Sequence, residues 1–241
     1  TVDVVEGGAT AEYEVSLTVP PEGEVTVNFD FKTGGLAKVV PPSLTFDATN
    51  WDTKKIVTVE ALDNFIATGD VQETINHSTT SSDPRYDTDA FVIDKVQVNI
   101  TDDDKAGVSV VPMAINVSED GNKDTYKVRL TSQPTEEVIV QITTGEQTKA
   151  VPAKLTWTPD GTDEWWKTDK IVTVEAIDDD IAEGTHKGTL RHTVSSFDPQ
   201  YQPNMFVIDD VEATIQDNDS PGVTIDPTSV EVSEDGNTAT Y

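Results

Sequence analysis

The stretch Val172-Thr-Val-Glu-Ala-Ile-Asp-Asp-Asp-Ile-Ala-Glu183 joins two patterns. Its first half continues an alternation that puts Ile171, Thr173 and Glu175 on one side and Val172, Val174 and Ala176 on the other. That is the period of a β-strand with one buried face. Its second half sets Asp178, Asp179, Asp180 and Glu183 within six positions, where the strand runs out into a loop, with no Lys or Arg among them. Carboxylates so crowded repel one another and raise each other's pKa unless something positive lies between them. A hard cation that takes oxygen ligands, such as Ca²⁺, meets that need, and a solvated acidic turn is the competing reading.

The same stretch occurs earlier in altered form. Val57-Thr-Val-Glu-Ala-Leu-Asp63 precedes Val172-Thr-Val-Glu-Ala-Ile-Asp178 by 115 residues. At that same offset Ser82-Asp-Pro-Arg-Tyr86 returns as Phe197-Asp-Pro-Gln-Tyr201, Phe91-Val-Ile-Asp94 as Phe206-Val-Ile-Asp209, and Asp102-Asp-Asp104 as Asp217-Asn-Asp219. Ser118-Glu-Asp-Gly-Asn122 then reappears as Ser233-Glu-Asp-Gly-Asn237. The chain is therefore a repeat. Residues 1–105 read as a module lacking its first strand, 106–220 as a complete module, and 221–241 as the first strands of a third. A chain out of phase with its own repeat suggests a piece of a longer array, or a unit that continues into its neighbours.

Short alternating runs such as Glu24-Val-Thr-Val-Asn-Phe29, Lys95-Val-Gln-Val-Asn-Ile100 and Glu137-Val-Ile-Val-Gln-Ile142 are separated by Gly, Pro, Asn and Asp clusters. No segment of helical length shows a 3.6-residue period. The fold class expected is all-β: tandem immunoglobulin-like antiparallel β-sandwich modules, with about seven strands in each. Leu44 and Phe46, and likewise Leu155 and Trp157, share a face and belong in a core, whereas Trp51, Trp165 and Trp166 fall in a loop of variable length.

Composition narrows the function. Lys and Arg number 16 against 45 Asp and Glu, a net charge of −29. Such an excess costs folding free energy through self-repulsion unless cations screen or bind it. It excludes nucleic acid and anionic membrane as partners, since both require a positive face. The absence of cysteine removes disulfides, thiolate metal sites and a Cys nucleophile. No apolar run approaches the ~18 residues of a membrane span. No phosphate loop, nucleophile elbow or triad spacing occurs, so the chain does not read as an enzyme.

With its Asp-Asp-Asp loop after a Val-Thr-Val strand, the chain resembles the Calx-β family, the modules of sodium–calcium exchanger regulatory regions and of bacterial surface proteins. The other marks are the module-ending Ile100-Thr-Asp-Asp-Asp-Lys-Ala-Gly107 and Ile215-Gln-Asp-Asn-Asp-Ser-Pro-Gly222, and the early glutamates Glu6, Glu119 and Glu234. The resemblance covers nearly the whole chain. It implies a Ca²⁺ site at one end of each sandwich, built from the early Glu, the acidic loop and the terminal Asp-x-Asp. In the second module that set is Glu119, Asp178, Asp179, the main-chain carbonyl of Ile181, Glu183, Asp217 and Asp219, with Asp180 facing solvent. His186 stands where a further acidic ligand would follow Glu183, which implies one or two ions rather than a larger cluster. In the first module Glu6, Asp63, Asp102 and Asp104 remain, but Asn64 and Thr68 replace the counterparts of Asp179 and Glu183. Asp70 is a conceivable substitute. Losing two anionic ligands weakens Ca²⁺ binding, because affinity follows ligand charge.

His77 and His192 occupy equivalent strand positions and read as hydrogen-bonded structural histidines. Asp83-Pro-Arg-Tyr86 and Asp198-Pro-Gln-Tyr201 read as turns with the Tyr packing back. Asn76, Asn99 and Asn116 are outward-facing sequons and candidate N-glycosylation sites, while Asn218, between two proposed ligands, is the least suitable. The expected function is an extracellular or cell-surface structural and adhesive array. Its modules would be stiffened by Ca²⁺ at their ends, and its partners would be neighbouring modules or further copies joined head to tail, and possible glycans. The alternative is a calcium-sensing regulatory domain pair.

Overall fold

Alternating strands can bury their apolar faces only by stacking two sheets, and both repeats do so. The computed structural model describes residues 1–31, 35–87, 91–160 and 165–240. The first repeat contains β1 (Val2–Val5), β2 (Ala11–Val15), β3 (Val25–Phe31), β4 (Ala37–Val40), β5 (Ser43–Phe46), β6 (Lys55–Ala61), β7 (Val71–Ser81) and β8 (Val96–Thr101). They form the sheets β1-β8-β7-β3-β5 and β2-β6-β4. The second repeat contains β9 (Val108–Val111), β10 (Ala114–Ser118), β11 (Asp124–Leu130), β12 (Val138–Thr143), β13 (Thr148–Val151), β14 (Lys154–Trp157), β15 (Lys170–Ala176), β16 (His186–Ser196) and β17 (Val211–Gln216). Its sheets are β10-β17-β16-β12-β14 and β13-β15-β11-β9. The fold is an all-β sandwich, repeated.

The expected seven segments become eight and nine strands because some segments change sheets at proline. Chain leaving β13 turns at Pro152 and Ala153, after which β14 pairs with β12 in the opposite sheet. Pro41 and Pro42 do the same between β4 and β5, and Pro112 between β9 and β10. Proline has no N–H to continue a ladder, so the break falls there. The last switch also corrects the expectation of purely antiparallel sheets. It brings β10 beside β17 in parallel, from Ala114↔Glu212 to Ser118↔Gln216, and β1 lies likewise beside β8.

Each repeat has its own core. Val25, Val27, Val57, Val59, Ile75 and Val98 fill the first, and Val128, Val140, Val172, Val174, Leu190 and Trp157 the second. These are the inward members of the alternations. In the second core His192 Nδ1 contacts the Asp209 carbonyl at 3.0 Å and Nε2 the Tyr126 hydroxyl at 2.9 Å. Burial lowers the His192 pKa, so the ring stays neutral and structural. In the two Asp-Pro-x-Tyr turns the Tyr is buried. Tyr201 Oη donates to the Ser132 carbonyl at 2.7 Å and accepts from the Ser132 N–H at 3.1 Å.

Two expectations change. Trp166 is no loop residue: it lies in a single 3-10 turn, Trp165–Lys167, only 5 % exposed and joined to the second core. Residues 161–164 of the same loop lie outside the described set. Residues 221–240 form no strand. The beginning of one repeat cannot by itself bury an apolar face.

Candidate metal centre

Strands β10, β15 and β17 bring the three acidic segments together at one end of the second sandwich. The buried Ile215 anchors β17, and the chain beyond Gln216 leaves the sheet as Asp217-Asn218-Asp219. Asp217 folds that segment back on itself, accepting the Asp219 N–H at 2.6 Å. Its other oxygen accepts the N–H groups of Glu183 and Gly184 from the acidic loop. Gly184 has φ +68°, a left-handed conformation that costs a residue with a side chain more than glycine. The first module repeats this tie: Gly69, at φ +74°, donates its N–H to Asp102 at 2.6 Å.

Glu119 follows β10 and is 7 % exposed. One of its oxygens accepts the Asn218 N–H at 3.3 Å, and the other is buried without a partner. Glu119, Asp217 and Asp219 each place a carboxylate oxygen within 4.8 Å of the others, and carboxylate oxygens of Glu119 and Glu183 lie equally close to each other and to a ring nitrogen of His186. Asp178 accepts from the Asn218 side chain at 3.1 Å, and Asp179 accepts the Ile181 N–H at 2.8 Å. Ile181 turns its side chain to solvent, as Asp180 does. Burial, and then the neighbouring Asp217 and Asp179 charges, raise the Glu119 pKa against the Asn218 N–H. Asp219 is raised by burial and by Asp217, Asp180, Asp178 and Asp179. Asp217 is lowered, first by the Asp219 N–H and then by the Gly184 N–H.

Two further residues belong to this cluster. Gln147, from the segment before β13, donates to Glu183 at 2.7 Å. His186 places Nε2, buried and without a hydrogen bond, 3.6 Å from the Glu183 carboxylate, while its Nδ1 meets the Gly184 carbonyl at 2.9 Å. In the sequence His186 reads as a lost ligand. The structure aims a ring nitrogen into the site instead.

The first module assembles Glu6 with Asp102, Asp103 and Asp104. Glu6 is 2 % exposed, and Asn64 Nδ2 donates to it at 2.5 Å. Its other oxygen and one of Asp104 are buried without partners. Burial, reinforced by Asp102, pushes Glu6 up to about 7, and burial with Asp102, Asp103 and Asp63 pushes Asp104 up to about 6. Asp63 packs against Gly7, and Asp70 accepts the Asp102 N–H at 3.1 Å. The Asn64 amide thus stands where the second module has a carboxylate, and it stabilises Glu6 without an ion.

The loop also reaches across the repeat boundary. Phe65, the counterpart of Asp180, packs on Trp166 with ring centroids 5.9 Å apart, and the Lys167 ammonium lies 4.1 Å from its centroid. The Phe65 carbonyl accepts the Gln133 N–H at 2.6 Å. Of the three sequons favoured as glycosylation candidates, Asn116 is exposed and Asn76 half-exposed, whereas Asn99 is tied to Asp3 and Gln72, each at 2.7 Å.

No family model matches the chain, and no curated protein does. Among solved structures it is similar to CBD12 from CALX1.2, at 14 % identity and TM-score 0.40, covering 89 % of this chain and 96 % of that one. It is also similar to an apo-form Calx CBD1 domain, at 18 % identity and TM-score 0.34, over 48 % of this chain and 100 % of that one. Domains 4 and 5 of the S-layer protein SbsC match at 14 % identity and TM-score 0.31, over 79 % and 70 %. The sandwich fold rests on the sheet pairings themselves.

Proposed function

We propose that the chain is a tandem array of Calx-β-like modules that takes Ca²⁺ at the end of the second sandwich, and more weakly at the first. It serves as a structural or adhesive element outside the cell or at its surface. The observation that carries the calcium reading is that, of five carboxylate oxygens buried without a hydrogen-bond partner among the described residues, four fall in the two acidic clusters, on Glu6, Asp104, Glu119 and Asp219, while the fifth, on Glu73, lies outside them. A buried polar atom left unpaired costs about 1–3 kcal/mol, and more when charged. Six to eight oxygens, several of them anionic, are what Ca²⁺ requires. In the second module Glu119, Asp178, Asp179, Glu183, Asp217 and Asp219 would hold it, with the Ile181 carbonyl. In the first, Glu6, Asp63, Asp102 and Asp104 would.

The bound ion supplies positive charge that offsets carboxylate repulsion. The protein supplies an ordered loop: Asp217 and Asp102 already pin it through the Gly184 and Gly69 N–H groups. Calorimetric titration with Ca²⁺, repeated on Asp217→Asn/Asp219→Asn, tests the site. Saturable binding lost in that variant is expected, and no binding at millimolar Ca²⁺ defeats the proposal. No helix among the described residues is long and apolar enough to cross a membrane.

One observation favours the second reading, a calcium-sensing regulatory pair. The loop that carries Asp63 and Asn64 also carries Phe65 onto Trp166, so filling the first site bears on how the modules dock. Micromolar affinity together with a change in maximum dimension between Ca²⁺ and EGTA in small-angle scattering would select the sensor. Millimolar affinity with an unchanged dimension selects the structural array.

A further inference from the structure

Of the chain's three histidines, two spend both ring nitrogens on hydrogen bonds. His77 Nδ1 meets the Asp94 carbonyl at 2.7 Å and Nε2 the Tyr13 hydroxyl at 3.1 Å, and His192 is held in the same way. His186 differs. Its Nδ1 meets the Gly184 carbonyl at 2.9 Å, and because a carbonyl only accepts, that nitrogen carries the proton. In the neutral ring Nε2 is then a bare lone pair, buried and without a partner. The facing Glu183 oxygen lies 3.6 Å away, too far for a hydrogen bond. Strand β17 sets this arrangement. Ser118 pairs with Gln216 on one side of it and His186 with Ile215 on the other. Glu119, one residue past β10, and His186, the first residue of β16, therefore come together over the same end of β17.

We propose that Glu119, Glu183 and His186 form a subsite for a transition-metal dication of the Zn²⁺ class, beside the all-oxygen set that takes Ca²⁺. The proposal rests on reading this end of the sandwich as a metal centre, and adds a second ion chemistry to it. Glu119 is 7 % exposed and one of its oxygens is buried without a partner, so a carboxylate and an imidazole lone pair are stranded at one spot. Two electron-rich atoms that face each other repel, and a cation between them turns both into ligands. Imidazole suits Zn²⁺, whereas Ca²⁺ takes oxygen. Three protein ligands with a fourth position left to water is a recurring zinc arrangement. Tetrahedral bonds of about 2.0–2.2 Å set neighbouring ligand atoms about 3.3–3.6 Å apart. The 3.6 Å between His186 Nε2 and Glu183 fits that edge. The groups that orient the ligands are in place as well. Gly184 holds the imidazole, Gln147 donates to Glu183 at 2.7 Å, and the Asn218 N–H donates to Glu119 at 3.3 Å. In the first module Thr68 and Val71 stand where Glu183 and His186 do, with Val71 opposite Ile100 as His186 is opposite Ile215. That end lacks the nitrogen, so the Zn²⁺ subsite belongs to the second module alone.

The test is a titration of the metal-stripped chain with Zn²⁺, followed by calorimetry and by the ring ¹H–¹⁵N NMR signals of the histidines. One saturable site is expected, shifting the His186 Nε2 signal and leaving those of His77 and His192 unmoved. The hydrogen-bond partners of metal ligands are by themselves worth about 10–100-fold in affinity, so losing the imidazole in His186→Ala should weaken Zn²⁺ at least about a hundredfold. Ca²⁺ affinity in that variant should change by less than about threefold, since Ca²⁺ takes oxygen. His186 belongs to neither core, and an unaltered His192 signal reports that the second sandwich remains folded. The proposal is overturned if Zn²⁺ leaves the His186 ring signals unmoved. It is also overturned if uptake is undiminished in His186→Ala, which would be adventitious binding to carboxylates. Zn²⁺ bound through His186 without any Ca²⁺ binding would defeat the calcium reading alone, and Ca²⁺ binding without Zn²⁺ would defeat this proposal alone.

Discussion

Replacing Phe65 by Ala tests the contact between the repeats, and its size can be worked from the geometry. Phe65 is 43 % exposed, so rather more than half of the side chain is covered. Burying that fraction of a Phe is worth about 1–1.5 kcal/mol. The tilted ring pair with Trp166 adds about 0.5–1.5 kcal/mol. The Lys167 ammonium over the ring adds about 0.5–1 kcal/mol at so exposed a site. The three overlap, so about 2–3 kcal/mol is the figure to carry forward. That corresponds to about a 30- to 150-fold shift in the ratio of docked to undocked repeats. Phe65 belongs to neither core, so the sandwiches themselves should melt as before. Hydrogen exchange at the Gln133 N–H, which the Phe65 carbonyl accepts at 2.6 Å, reads the undocked population when opening and closing are fast relative to exchange. The expected result is an exchange rate raised by a comparable factor, with a broadened distance distribution in small-angle scattering. Unchanged exchange and an unchanged distribution would refute the view that Phe65 holds the junction.

In EGTA the protein should become more stable as pH falls from about 8 towards 5. Glu6 near 7 and Asp104 near 6 bind protons in the folded state that the unfolded chain has already released. Stability therefore drops as pH rises through those values, and Ca²⁺ should flatten or reverse the slope; thermal melts across pH with and without Ca²⁺ check this. Glu119→Gln removes one anionic ligand, so Ca²⁺ affinity should fall at least about tenfold by titration, while the apo melting temperature holds or rises. Tyr201→Phe strips the Ser132 N–H and carbonyl of the one hydroxyl that pairs with both, and should cost the second sandwich about 1–3 kcal/mol in urea unfolding, because Ser132 is fully buried.

Most of the architecture was legible because strand alternation and the 115-residue offset are properties of the residue order itself. Val172 and Val174 declare an inward face, and Tyr201 repeats Tyr86. The meeting of Glu119 with Asp217 and Asp219 was legible only through the family resemblance, since nothing local links residues about a hundred positions apart. What stayed hidden depended on partners distant in sequence. Phe65 stands at the position of Asp180, which reads as solvent-facing, and only the structure shows Trp166 beneath it. Trp166 reads as a loop residue because a 3-10 turn carries no periodic signal. His186 reads as a missing carboxylate, although an imidazole nitrogen can be aimed at the same spot. The change of sheet at Pro112 was marked by the proline, but the parallel partner it leads to was not.

That parallel partnership bears on how the chain would carry load. In the second repeat β10 lies near the entry of the chain and β17 at its exit, side by side and pointing the same way. Tension drawn along the array pulls these two strands past each other lengthwise. The paired residues from Ala114↔Glu212 to Ser118↔Gln216 are then strained together, in shear, rather than opened one at a time from an end. The first repeat carries the same arrangement in β1 and β8. Each sandwich is thus clamped across its own line of force, and pulling on single molecules should show high, discrete rupture steps, one for each repeat.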